Sequence, residues 1–179
     1  MSVPEYPRII VITGSESTGK TELTRQLAHH YHAPYYPEYA REYISGLNRK
    51  YNVQDVELIA GKQIEQYDEA SHSKHKYVFF DTWLIITKVW FEVVYNKVPD
   101  WLTDSLKSAR ITGFIVNEPD LPWVSDPLRE NGGKMREILH QTYLRNLEYF
   151  KFRYCLNTGF GPTRLANAIK TVENNFING

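Results

Sequence analysis

An α/β architecture built on a parallel sheet is what this sequence predicts. Short apolar runs alternate with longer stretches of helical periodicity along its 179 residues, the pattern left by strands joined through crossover helices. The first apolar run, Ile9-Ile10-Val11-Ile12, leads directly into Gly14-Ser15-Glu16-Ser17-Thr18-Gly19-Lys20-Thr21. The spacing G-x-x-x-x-G-K-[ST] after a strand describes a loop whose backbone amides and following helix N-terminus converge on a polyphosphate. No repeat, low-complexity tract or linker rich in Gly, Pro or Ser divides the chain, so a single domain over residues 1–179 is expected.

Residues 8–13 form the first expected strand, since a β-branched run with no polar interruption fits a strand buried on both faces. Behind the loop, Leu23, Leu27 and Tyr31 recur at helical spacing. Tyr35-Tyr36 reads as a short second strand and residues 77–81 as the third. Between them, residues 53–72 are helical, with Val56, Ile59, Ala60, Ile64 and Tyr67 approximating one face. Trp83, Ile86, Trp90 and Val94 mark another helix, and later helices are expected over residues 99–110, 134–151 and 163–176. The fourth strand is expected at residues 112–117 and the fifth at residues 152–156. Residues 117–133 hold three prolines and two adjacent glycines, too irregular for either periodicity. We expect a lid at about residues 117–136, at the carboxyl end of the sheet where open α/β sheets bind ligands.

Charge narrows the partner class. The 21 basic and 21 acidic side chains cancel, and the one dense basic cluster, Lys74-His75-Lys76, is too short for a nucleic-acid stripe. A small-molecule partner is expected rather than nucleic acid. Neither a signal-peptide core nor an apolar run of spanning length occurs, which predicts no membrane association and makes the cytoplasm the expected compartment. The single cysteine, Cys155, precludes an intrachain disulfide and reads as a structural thiol in the last strand. Nothing in the sequence specifies an oligomeric state.

Within the loop, Gly14, Ser15, Glu16, Ser17, Thr18, Gly19, Lys20 and Thr21 are the expected nucleotide cradle. Lys20 reaches the β- and γ-phosphates, and the Thr21 hydroxyl serves Mg²⁺. Asp81 closes the run Tyr77-Val78-Phe79-Phe80, so it projects from a strand end toward the same loop. It binds Mg²⁺ through water or holds substrate, unless it merely caps the helix that starts at Thr82. Glu38 follows the second strand, where a carboxylate can accept the proton of an acceptor hydroxyl while Arg41, one turn on, positions it. The same spacing also fits a helix start carrying a surface ion pair.

Arg129 and Arg136 flank Gly132-Gly133, and planar guanidinium groups suit phosphate contact from a lid. The loop Thr158-Gly159-Phe160-Gly161-Pro162-Thr163-Arg164 offers backbone and the Arg164 stem to an adenine ring. Tyr36, Trp123 and Asp126 adjoin these polar sites and are expected to line the substrate pocket. His29, His30 and His32 lie at a helix end without a zinc-like partner nearby, so no metal role is expected for them.

The glycine-bounded loop, Pro37-Glu38-Tyr39-Ala40-Arg41-Glu42-Tyr43, Phe80-Asp81-Thr82 and Pro122-Trp123-Val124-Ser125-Asp126-Pro127-Leu128-Arg129 together resemble the ribosylnicotinamide kinase domain of the bacterial NadR family. That resemblance implies a P-loop kinase fold, a three-layer α/β sandwich with five parallel strands in the order 2-3-1-4-5. It implies ATP and Mg²⁺ as cofactors and transfer of the γ-phosphate to the ribose 5′-hydroxyl of nicotinamide riboside, a small-molecule nucleoside substrate, giving nicotinamide mononucleotide. On the same basis Glu38 corresponds to the carboxylate that acts as base in related nucleoside kinases, and Arg129 to the lid. The adenylyltransferase domain and helix-turn-helix that often precede this domain do not fit before Arg8. The expectation is a chain that by itself neither makes NAD nor represses transcription. Two rivals remain: a kinase for another nucleoside or nucleotide, and an ATP-binding regulatory module without acceptor phosphorylation.

Overall fold

In the computed structural model, which describes residues 6–127 and 131–177, the first expected strand forms over Arg8–Thr13 (β1) and passes through the loop into α1, Lys20–His30. Then come β2 (Tyr35–Tyr36), α2 (Tyr39–Ser45), α3 (Val53–Ser71), β3 (Tyr77–Asp81), α4 (Leu84–Tyr95) and α5 (Asp100–Ser108). The chain continues through β4 (Gly113–Asn117), α6 (Gly133–Tyr149), β5 (Tyr154–Asn157), α7 (Gly161–Thr171) and a π-helical turn, Val172–Ile177. All strand pairings are parallel, and the sheet order is β2-β3-β1-β4-β5, the order implied by the resemblance.

Strand side chains alternate between faces, and β1 divides the core accordingly. Ile9 and Val11 pack with Val78, Phe80, Phe114 and Val116 against α3, α4, α5 and α6. Ile10 and Ile12 pack with Phe79 and Ile115 against α1 and α7. Helices therefore cover both faces, which explains why the strands read as unbroken apolar runs. No helix among the described residues is long and apolar enough to cross a membrane.

Three elements depart from expectation. The fifth strand starts at Tyr154 rather than at 152, because Lys151 takes a left-handed conformation (φ 58°) where α6 ends and Phe152 turns into the core against Phe114. Helix α2 is a full element where the sequence showed only a helix start; Tyr39, Ala40, Tyr43 and Ile44 share one face, but the helix has only seven residues and buries none of them. The last helix loosens after Thr171 into the π-helical turn, and Phe176 lies over Gly113 of β4.

A Cβ added at Gly113 would sit 2.4 Å from the Phe176 ring. Gly113→Ala is therefore expected to destabilise the protein by about 1–3 kcal/mol through overpacking. A lowered urea midpoint with an unchanged slope is the measurement that checks it; an unchanged midpoint contradicts the contact.

Candidate functional site

The loop between β1 and α1 depends on two left-handed glycines, Gly14 (φ 137°) and Gly19 (φ 73°). A side chain at Gly14 would lie 2.6 Å from the Asn117 carbonyl oxygen, so only glycine lets the loop pass the end of β4. Lys20 Nζ donates to the Ser15 carbonyl, 2.9 Å away, which folds the lysine over the loop's own concavity. Beside it, β1 and β3 pair in register with Ile12 opposite Asp81. This pairing sets the Asp81 carboxylate against the start of α1, where Thr21 Oγ1 donates to Asp81 Oδ2 at 2.5 Å.

Asp81 is buried, and its other oxygen, Oδ1, has no hydrogen-bond partner among the described residues. Burial raises its pKa, opposed by the Thr21 hydrogen bond and by Lys20, Arg25 and Arg41. An unsatisfied buried carboxylate oxygen next to a threonine hydroxyl is a hard-oxygen donor set of the kind Mg²⁺ prefers. The residues present therefore fit that ion.

Glu38 stands at the N-cap of α2 but makes no capping hydrogen bond, and no partner is recorded for it among the described residues. Its carboxylate faces the cleft, where burial raises the pKa; Lys20 and Arg41 pull it down, Asp81 and Glu16 push it up. The position of α2 is fixed from behind by Asp55, which caps α3 in a reciprocal capping box with Asn52. Tyr43 of α2 donates to Asp55 Oδ1 at 2.9 Å, and Arg49 forks onto both oxygens at 2.6 and 2.8 Å. The Arg49 hydrogen bonds hold the Asp55 carboxyl far below the usual carboxylate range.

A cleft of about 560 Å³ joins the phosphate loop, Lys20, Thr21 and Glu38, while Asp81, bonded to Thr21, is not among its lining residues. One half is the loop with Lys20, Thr21, Arg25 and Glu38. The other is apolar, formed by Ile44, Tyr51, Ile86, Val89, Trp90 and Leu139, with Tyr51 edge-on to Trp90 at 4.8 Å between ring centroids. Tyr143 of α6 reaches the same cleft.

The segment after β4 crosses the mouth of the cleft and is fastened to the loop. Ser17 Oγ accepts from Val124 N–H at 2.9 Å. Asn131 donates through its backbone and side-chain nitrogens to the two Glu16 carboxylate oxygens, each at 3.1 Å. Arg136, buried at 8% exposure, donates to the carbonyls of Glu16, Leu121 and Ser17 at 2.9, 2.9 and 3.0 Å. Arg41 and Asp126 form an ion pair that ties the same segment to α2.

Several sequence-expected residues sit elsewhere than expected. Tyr36 is not among the cleft-lining residues; its ring stacks on Phe80 at 4.7 Å, and burial and Glu69 push its phenol up to about 12. Strand alternation does not extend from Tyr36 to Glu38, because β2 ends at Tyr36 and Pro37 breaks the pleat. Trp123 packs its indole against Gly132 and does not line the cleft either.

Arg164 is 5% exposed and pairs with Asp120 while donating to the carbonyls of Gly159 and Thr18 at 2.8 and 3.3 Å. Its guanidinium braces the loops from beneath, as does that of Arg136. Arg129 falls outside the described residues. Tyr51, Trp90, Leu139, Tyr143 and Arg25 were not singled out from the sequence as site residues. The spacing of Ile86, Trp90 and Val94 did register as an apolar helix face, but periodicity does not distinguish a core from the wall of a cleft.

Comparison with known proteins places this geometry. The trifunctional NAD biosynthesis/regulator protein NadR of Salmonella typhimurium is 26% identical over 145 residues, 79% of this chain and 35% of that protein. The chain thus spans about a third of the length of that relative. The crystal structure of a NadR protein in complex with NR matches with a TM-score of 0.83 at 25% identity, covering 95% of this chain and 52% of that one. Thymidylate kinase from Ehrlichia chaffeensis, at a TM-score of 0.65 and 12% identity, covers 93% of this chain and 98% of its own, a likeness of fold alone. The P-loop kinase fold is shared by all three. The model of a family described as an AAA domain matches residues 9–161, from β1 through the start of α7, and on that match the chain belongs to this AAA domain family.

Proposed function

We propose that this chain is an ATP- and Mg²⁺-dependent phosphotransferase acting on the ribose 5′-hydroxyl of nicotinamide riboside. One observation carries the proposal: a single cleft sets the phosphate loop and Lys20 beside Glu38 and continues into an aromatic, apolar half. A nucleotide-binding module needs only the first part. A kinase needs all of it, because the acceptor requires its own seat and a group to take its proton. The NR bound to the NadR relative favours a riboside of nicotinamide as acceptor. Its cationic ring suits the faces of Tyr51 and Trp90 with carboxylates nearby.

In this assignment one domain carries both half-sites, with residues 117–136 as lid. The loop amides and Lys20 hold the donor phosphates, and Glu38 orients and deprotonates the acceptor hydroxyl. Arg41 and Asp126 draw the lid onto α2, and Arg129 is assigned to offset charge on the transferring phosphoryl. Thr21 and Asp81 would hold the magnesium ion, which would supply positive charge to offset that of the donor phosphates.

The test is ATP consumption with and without nicotinamide riboside, with the mononucleotide followed directly as product. Stimulation by that acceptor is expected. Stimulation by another nucleoside instead removes the substrate assignment, and ATP binding without phosphorylation of any acceptor removes the enzyme.

A further inference from the structure

Tyr143 lies in the middle of α6 and is only 6% exposed, yet it reaches the wall of the cleft beside Leu139. Helix α6 packs on α4, whose Ile86, Val89 and Trp90 line the apolar half. A buried tyrosine hydroxyl normally has a hydrogen-bond partner. The Tyr143 hydroxyl has none among the described residues and, unlike that of Tyr31, is not sealed in the interior but meets the cleft, with Glu16 and Glu38 acting on it electrostatically. Burial first, and those two charges second, push its pKa well up. The hydroxyl therefore keeps its proton and presents a donor.

What can accept that hydrogen is limited by the neighbours. The Glu16 carboxylate is already held by Asn131, and the donor phosphates have the loop amides and Lys20. A further anion between two carboxylates is repelled, whereas an uncharged sugar hydroxyl is not. We infer that the Tyr143 hydroxyl donates a hydrogen bond to a ribose hydroxyl of the acceptor, selecting acceptors that carry it and holding the reacting hydroxyl against Glu38. The inference rests on the kinase assignment above and adds a specificity-determining contact from α6.

The experiment compares wild type and Tyr143→Phe in steady state with nicotinamide riboside and its 2′-deoxy and 3′-deoxy analogues. Wild type is expected to prefer the riboside over one deoxy analogue. The variant is expected to raise the riboside KM about 3- to 10-fold, the value of one neutral hydrogen bond, to leave the KM for ATP unchanged and to lose the preference. Its melting temperature should not fall, since the hydroxyl has no hydrogen-bond partner to lose among the described residues. Equal use of riboside and both deoxy analogues by wild type overturns the inference whatever the variant does. So does a variant that keeps the full preference, or one whose KM shifts for ATP alone. A wild type that phosphorylates no riboside removes the kinase assignment and the inference together; an active wild type with an indifferent variant removes the inference alone.

Discussion

Replacing Lys20 with alanine is expected to reduce the phosphorylation rate by roughly 10³-fold or more, the scale on which cations stabilise charge on a transferring phosphoryl group. The structure gives this substitution several consequences, and loss of the cation with its hydrogen bond must be separated from loss of the aliphatic stem. Lys20 Nζ is the only side-chain cation recorded donating to the Ser15 carbonyl among the described residues, so alanine also removes a tie across the loop. Lys20→Met keeps the aliphatic stem and removes only the charge and its hydrogen bonds. If the charge is what matters, methionine and alanine fall together, in kcat and in affinity for ATP. If either variant keeps full activity, the phosphate loop is not the donor site.

Glu38→Gln is expected to lower kcat by about 10²- to 10⁴-fold, the usual contribution of a positioned general base. The amide is nearly isosteric and the Glu38 side chain has no hydrogen-bond partner to lose among the described residues, so folding is not the main confounder. The pH dependence supplies a second readout. Burial raises the Glu38 pKa above its ordinary value, and a base works only as the carboxylate. Activity should therefore decline as the pH falls through that raised value, at higher pH than for an exposed glutamate, and the Gln variant should lose this limb. Stability runs the other way. A carboxyl raised on folding contributes most when protonated, below its unfolded pKa, and that contribution is lost as the pH rises through the folded pKa. The variant should thus be at least as stable as wild type at neutral pH, and a clear loss of stability there contradicts the burial argument.

Legibility from sequence followed the range of the interactions involved. β1 and β3 could be read to the residue, because a parallel strand covered on both faces needs unbroken apolar residues and the chain supplies them. The position of Asp81 was legible because the end of an apolar run is the end of a strand, and the register that sets it beside Thr21 follows from the loop on the neighbouring strand. Helix α2 was hardly legible, since seven residues are too few to establish a hydrophobic period and the helix is held by the polar contact of Tyr43 with Asp55 rather than by a buried face.

The acceptor half of the cleft was the least legible part. Tyr51, Trp90 and Tyr143 come from a loop, α4 and α6, and only the packing of α6 on α4 makes them face one space. Tyr36 and Trp123 misled for the same reason: closeness along the chain to Glu38 and Asp126 said nothing about which way the rings turn, and one turned into the core.

The grip of Arg136 on the loop has an evolutionary consequence. It reads the peptide carbonyls of Glu16, Ser17 and Leu121, and every amino acid presents a carbonyl. The side chains at those three positions can drift while the arginine keeps its hold. The neighbouring fastening differs, because Asn131 bonds the Glu16 carboxylate itself and tolerates change at one end only if the other changes with it. Covariation is therefore expected between positions 16 and 131, whereas the carbonyl bonds of Arg136 by themselves require none with positions 16, 17 and 121, so across a lineage the Glu16–Asn131 seam should be the more tightly constrained of the two.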